Sequence, residues 1–428
     1  MASFELISAV QDYEKYIETN GINEQVIDAY CEAVKTAATN EKDIEYGLKI
    51  SKRCKEIIET FCVDTSGGTI WDLEKYAFKE KVSYEIIEKF YSVLLIEAQN
   101  KVVDSFFRYI EHKREPKERF YMPRRKQFLK IGLMDALQGM IDDRYDILCI
   151  SLIPGAGKTT IEKFFNAAVI GWFPKDFNLF YSHSGDITRM YYDGVYDIVT
   201  NIDDYAWNEI FPNLHVTSTN AKMEQFNVGK YKPFPSVQCT SVGSKNAGKV
   251  RASKFLLVDD MIGGIEEAMN PMILDKLWNK YAVDARQRKI QDSEGKNCKE
   301  IHIATRWSVH DVIGRIQNMY EGNPRVKTIA VPDIDPITQE SNFDYEFSGF
   351  TKEFFEDQQL LMDDISYRCL YKQEPIEREG LVFPEDKIRR YLNLPHGEPE
   401  IITAQCDTKG KGTDYFVLPT LQTSGAAY

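Results

Sequence analysis

No uninterrupted apolar run in this chain approaches the roughly 18–20 residues that a membrane-spanning helix needs, so no spanning helix is expected. The opening "MASFELISAVQDYEKYIE" mixes acids among its apolar residues and lacks the basic start and apolar core of a secretory signal. The eight cysteines (Cys31, Cys54, Cys62, Cys149, Cys239, Cys298, Cys369, Cys406) are scattered, without a C-x-x-C pair or metal-ligand spacing. They read as reduced thiols of a cytosol-like compartment rather than a disulfide frame or a zinc site. An excess of basic charge is missing too. With 53 Lys and Arg against 66 Asp and Glu the formal net charge is −13, so any nucleic-acid surface must be a local patch. There is no internal repeat and no low-complexity segment.

What is present describes a globular protein, 43% hydrophobic and 28% charged over 428 residues. That length accommodates two or three domains. Residues 1–115 are expected to form a helical accessory domain. "VIDAYCEAVKTAA" and "SYEIIEKFYSVLLIEAQNKVVDSFFRYIEHKR" repeat apolar residues at three- and four-residue spacing, and Gly67 and Gly68 break the pattern between them. The basic run "HKREPKERFYMPRRK" then leads into another texture. Six short apolar runs, "DILCISLI", "FNLFYSH", "SVQCTSVG", "KFLLVDD", "EIHIATRW" and "RVKTIAVP", alternate with helical stretches. This implies an α/β domain over 116–335, built on a mostly parallel sheet with helices on both faces. Residues 336–400 are expected to be a lid or linker with a helix in "FFEDQQLLMDDISYRCLYKQEP". Residues 401–428 read as strand, turn, strand.

The chemistry starts in "SLIPGAGKTT". A phosphate-binding loop reads G-x-x-x-x-G-K-[ST], and Gly157, Lys158 and Thr159 supply its end while Leu152 stands where the first glycine belongs. The setting is nevertheless strand, turn, helix. Backbone N–H groups from Gly155 to Lys158 would face phosphates at a helix N-terminus. Pro154 stiffens the entry, Gly155 offers a flexible position, and Ala156 and Thr160 complete the loop. Lys158 would reach the β and γ phosphates and the Thr159 hydroxyl would ligate Mg²⁺. The bland alternative is a β-to-α turn that needs small residues. A second signal weighs against it: "KFLLVDDM" is an apolar strand ending in two carboxylates. Asp259 would hold Mg²⁺ through water, and Asp260 would orient or deprotonate an attacking water, a shorter base than the more usual Glu. A third strand, "IHIATRW", ends in Thr305 and Arg306, either of which could sense a γ-phosphate.

Together these segments resemble the large subunit of a tailed-bacteriophage terminase, over about residues 115–428. "FYMPRRKQF" is similar to that family's segment ahead of the loop, and the resemblance implies adenine contacts for Tyr121 and Gln127. "VGSKNAGKVRASKFLLVDDM", "IATRWSVHDVIGRI" and "YRCLYKQEPIEREGLVF" resemble successive later motifs, and "CDTKGKGTDYFVL" resembles the opening of its RNase H-like nuclease. The family's loop often carries an arginine near the position of Pro154, so here that charge must come from elsewhere. Arg251 is the candidate for an arginine finger offered to a neighbouring subunit. Asp407 matches the first metal-binding aspartate of the nuclease, while Asp414 could equally be a turn residue.

The resemblance implies an ATPase that translocates double-stranded DNA into a procapsid, with ATP and Mg²⁺ as cofactors. It implies a terminase small subunit, a portal protein and further copies of the chain in a ring as partners, in the cytoplasm of an infected host. Lys245, Lys249 and Arg251 are candidate DNA contacts. The nuclease would need carboxylates from strands beyond Tyr428, so a fragment without nuclease activity is expected. Two alternatives stay open: a helicase-like or other nucleic-acid ATPase, and a nucleotide-binding scaffold without catalysis.

Overall fold

A computed structural model describes residues 3–76, 84–244 and 250–375, together with the backbone of 401–404 and 420–423. It divides into two units, residues 1–377 and residues 378–428.

The first unit is built on an eight-stranded sheet. Its strands are β1 (Ile147–Ser151), β2 (Asn178–Ser182), β3 (Val216–Asn220), β4 (Gln225–Val228), β5 (Val237–Ser241), β6 (Phe255–Asp259), β7 (Lys299–Ile303) and β8 (Val326–Ala330). The order across the sheet is β3-β4-β5-β2-β6-β7-β1-β8. The six strands from β5 to β8 run parallel, as the apolar runs predict. Every residue of β1, β2, β6 and β7 is buried, because helices cover both faces and leave no side to water. β3 and β4 are an antiparallel addition at one edge. Four of the five residues of β3 are exposed, so its sequence "VTSTN" carries no apolar signal to read.

Two features of the topology position the site. The β1 chain end leads through six residues into the helix Lys158–Trp172, and β7 lies between β1 and β6 in the sheet. Asp259 pairs with Ser182 on one side and Ile303 on the other. The carboxyl ends of β1, β2, β6 and β7 therefore share one edge, the usual place for a ligand in such sheets.

The helices expected over 1–115 pack onto the sheet. Helices Phe4–Asn20, Glu24–Ala38, Ile44–Ser66, Ile70–Tyr76, Tyr84–Gln99 and Val103–Ile110 form, and their core is continuous with that of the sheet. Every residue of Val103–Ile110 except Asp104 is buried. This helix is buried although it carries Ser105 and Arg108, and its rings join it to the sheet's core: Phe106 packs edge-on against Trp172 and Phe107 against Phe164. The Trp172 indole N–H donates to the Ala98 carbonyl at 2.7 Å. Of the expected lid or linker, residues 336–375 belong to the same unit and include the helix Lys352–Leu361; residues 376–400 lie outside the described residues.

In the second unit Ile401–Ala404 pairs antiparallel with Thr420–Thr423, Thr420 opposite Ala404 and Thr423 opposite Ile401. The two expected strands are present, and residues 405–419 between them lie outside the described residues. Asp407 and Asp414 lie outside the described residues.

Candidate active site

The loop after β1 has two glycines that no other residue could replace without cost. Gly155 and Gly157 have φ of +80° and +91°, the left-handed region that side chains avoid. An aromatic ring also stands close to each. A Cβ on Gly155 would lie 2.9 Å from Cζ of Phe350, and one on Gly157 would overlap the ring of Phe120. Leu152, in the place of the missing first glycine, is fully buried and extends the core of β1. Its main chain still serves the loop: the Lys158 ammonium donates to the carbonyls of Leu152 at 3.0 Å and Ile153 at 3.2 Å. Pro154 and Thr160 are half-buried, and Ala156 is buried with its N–H on the Ile153 carbonyl.

Three strand ends meet this loop. The Thr159 hydroxyl donates to Asp259 Oδ2 at 2.6 Å, tying the first helical turn to the end of β6. The Lys158 ammonium also donates to the Thr305 hydroxyl at 3.3 Å, just beyond β7. The Thr305 N–H donates to Asp260 Oδ1 at 2.9 Å. Asp260 has φ of +35°, a conformation uncommon outside glycine that Asp tolerates better than most residues. It is fixed there by its own N–H on the Ile303 carbonyl at 2.9 Å, and by the His183 ring against its carbonyl. The structure thus brings Lys158, Thr159, Asp259, Asp260 and Thr305 together.

The electrostatics of this cluster follow from burial. Removal from water lowers the Lys158 pKa, with the charges of Asp260 and Asp259 opposing the shift. Burial and the neighbouring Asp260 push Asp259 up to about 7, against the Thr159 hydrogen bond and the Lys158 charge. Asp260 is also raised, by burial first. Carboxyl groups this reluctant to ionise are poised to gain from a cation. Hard oxygen donors, a hydroxyl and carboxylates, suit Mg²⁺, which is commonly bound by one or two carboxylates together with substrate phosphates. Asp259 Oδ1 is buried and has no hydrogen-bond partner among the described residues, so Thr159 and Asp259 fit the ion. Among the described residues no group of three or more His, Cys, Asp or Glu is placed to hold a metal alone.

Other expected site residues lie elsewhere. Tyr121 is fully buried, its phenol donates to Asp104, and its ring packs on Phe107; it does not face the loop, so the adenine contact expected of it is not supported. The neighbouring Phe120 is the ring against Gly157. Gln127 does point toward the segment over the loop, its amide donating to the Asp344 carbonyl at 3.1 Å and its buried Oε1 unpartnered. Arg124 lies between the rings of Phe120 and Tyr345, 4.5 and 4.8 Å from their centroids. Arg306 is buried and consumed by structure. Its guanidinium donates to Asp311 Oδ2 and Gln317 Oε1, each at 2.8 Å, while Asp311 caps the helix Val312–Met319. A γ-phosphate sensor at Arg306 is therefore not supported, which leaves Thr305. Arg251 is at the opposite edge of the sheet. Residues 252–254 bond to Arg288 and Phe177 near the start of β2, and the Arg251 guanidinium donates to the Val250 carbonyl at 3.0 Å. Lys245 and Lys249 lie outside the described residues.

Sequence reading passed over two residues. His183 follows the last residue of β2 and lies beside Asp260, and its position after "FNLFYS" was the available signal. Glu162 lies one turn into the loop's helix, fully buried. Its acid character in an apolar face, "TTIEKFF", could have marked it.

Neither a family model nor a curated protein matches the chain. Solved structures of phage large terminases do. An arginine-to-alanine variant of the large terminase ATPase domain of Thermus phage P74-26 is 12% identical, with a TM-score of 0.40, over 56% of this chain and 93% of that one. The HK97 bacteriophage large terminase is 12% identical with a TM-score of 0.38, over 56% of this chain and 49% of that one. A large terminase from a thermophilic bacteriophage, in complex with ADP, is 12% identical with a TM-score of 0.34, over 70% of this chain and 65% of that one. The chain spans about half the length of the HK97 protein. At this identity and these TM-scores the likeness carries no weight beyond itself, and the function rests on the site.

Proposed function

We propose that the protein is an ATP-hydrolysing motor of the terminase type, which translocates double-stranded DNA into a procapsid. The observation that carries this reading is the closed set Lys158, Thr159, Asp259, Asp260 and Thr305, joined by hydrogen bonds across the ends of β1, β6 and β7. It supplies what phosphoryl transfer to water needs: a cation for the phosphates, oxygen ligands for a metal, and a carboxylate for the water. Lys158 exchanges the carbonyls of Leu152 and Ile153 for phosphate oxygens. Asp260, held by the Thr305 N–H, orients the water. Thr305, which bonds Lys158 through its hydroxyl and Asp260 through its amide, reports on the phosphate that leaves. A bound Mg²⁺ would neutralise charge on the phosphates.

Phe350, seated on Gly155, makes the segment around it the part of the expected lid that feels the loop. Arg251, at the far edge of its own sheet, would serve a neighbouring copy in a ring by exchanging the Val250 carbonyl for a phosphate oxygen. A small subunit and a portal protein complete the proposed partners. DNA contact through phosphates would be independent of sequence and steeply weakened by salt.

The test is ATP hydrolysis with and without duplex DNA. Lys158→Ala and Asp260→Asn should each lower turnover by roughly 10²–10³-fold, with secondary structure retained by circular dichroism. The wild type should leave a forked duplex unseparated. Strand separation would replace the packaging role by a helicase-like one, and tight ATP binding without turnover in the wild type would refute the motor.

A further inference from the structure

Beneath the loop lies a set of polar atoms that the site does not use. Glu162 follows Thr159 by three residues and so shares its side of the helix. It is 1% exposed, and among the described residues neither carboxylate oxygen has a hydrogen-bond partner. Tyr191 reaches its main chain only, donating to the Glu162 carbonyl at 3.3 Å. Ser182, the register partner of Asp259 on β2, is fully buried with an unpartnered hydroxyl, and Asp259 Oδ1 is unpartnered as well. The charges of Asp259 and Asp260 both bear on Glu162.

Four unpartnered oxygens on three neighbouring elements are costly, since buried polar groups are ordinarily hydrogen-bonded. Three of the four belong to carboxyl groups. Ionised carboxylates only accept, and among the described residues no donor is offered to Glu162. A ligand rich in O–H donors and carrying positive charge satisfies all of them together. A hydrated divalent cation is such a ligand, because Mg²⁺ gives up its waters reluctantly and keeps several when bound. Direct ligation by Glu162 as a third acid is disfavoured, since the described residues hold no three-acid cluster placed for a metal.

We propose that Glu162, assisted by Ser182, is a positioning residue for the cation–nucleotide complex, accepting hydrogen bonds from water on a divalent cation held by Thr159 and Asp259. The proposal rests on the reading of this loop as a nucleotide site. It predicts a residue that strengthens nucleotide binding only when the cation is present.

The experiment measures binding of a fluorescent ADP to the full chain with Mg²⁺ and with EDTA, for the wild type, Glu162→Gln, Glu162→Leu and Ser182→Ala. The Mg²⁺-dependent gain in affinity should fall about 10-fold in both Glu162 variants, the lower end for a lost outer-shell partner, and less in Ser182→Ala. Affinity in EDTA and the nucleotide-free melting temperature should not fall. The Leu variant decides the matter should the buried amide of Gln be poorly tolerated. An unchanged Mg²⁺ gain, or equal losses with and without Mg²⁺, overturns the proposal while the nucleotide site stands. A wild type that binds no ADP under either condition overturns both.

Discussion

Buried acids in two places around the same sheet are treated in opposite ways. At the carboxyl edge Asp259 and Glu162 keep unpartnered oxygens and are pushed toward the neutral form by burial and by their acidic neighbours. About 10 Å away along β7, taking three residues at the usual strand rise, Glu300 is fully buried too. It accepts from Tyr281, from Arg286 at 3.0 Å and from Lys289 at 2.6 Å, and lies 3.0 Å from the His302 ring nitrogen. Burial works against its ionisation, but the hydrogen bond and charge of His302 with the charges of Lys289 and Arg286 prevail and hold it below the usual carboxylate range. Burial alone therefore does not make a site. An acid whose partners are all inside the chain is structure, and one whose partners are missing is waiting for a ligand.

The largest expected effect tests the structural member. Glu300→Gln leaves Arg286 and Lys289 without their counter-charge and should cost about 3–5 kcal/mol in urea unfolding. Its pH dependence sharpens the point. The depressed folded pKa means that the stabilisation is present above the unfolded value and is lost as pH falls through the acid range. The acid limb of the wild-type stability curve should therefore flatten in the variant. Arg306→Lys keeps the charge but loses the planar fork to Asp311 and Gln317. It should lower stability by about 2 kcal/mol, within the range for hydrogen bonds to charged groups, with little change in ATP turnover. A turnover loss exceeding tenfold in the folded variant would restore Arg306 to the site. Gly157→Ala, forced into positive φ against Phe120, should cost about 1–3 kcal/mol and abolish nucleotide binding. The smallest effect has the opposite sign. Glu162→Leu removes an unpartnered buried acid and should stabilise the nucleotide-free protein by about 1 kcal/mol, read as a higher urea midpoint.

The sheet was legible where burial on both faces makes strands continuous apolar runs, as in "ILCIS" and "FLLVD". It was illegible at β3, whose exposed residues show no such signal. The loop, Asp259, Asp260 and Thr305 could be read because their chemistry follows from position at a strand end. Tyr121 and Phe120 could not be told apart. Neighbouring positions on a helix point about 100° apart, and only the packing on Phe107 decides which ring turns inward. Arg306 misled for a related reason: its partner Asp311 is five residues away, and the turn that joins them leaves no mark in composition. The helices before residue 115 were legible as helices, yet their union with the sheet depends on aromatic contacts distant in sequence.

The glycines of the loop have a mechanical consequence. Phe120 arrives from the amino-terminal side and Phe350 from the carboxyl-terminal side, and the loop is pinched between them like a key in a lock's wards. Arg124 bridges the two sides by stacking on both Phe120 and Tyr345. Any shift of Gly155 or Gly157 that accompanies a change of phosphate must displace one ring or the other. A small displacement is thereby passed to one of two stretches distant in sequence, and a motor could draw its stroke from either.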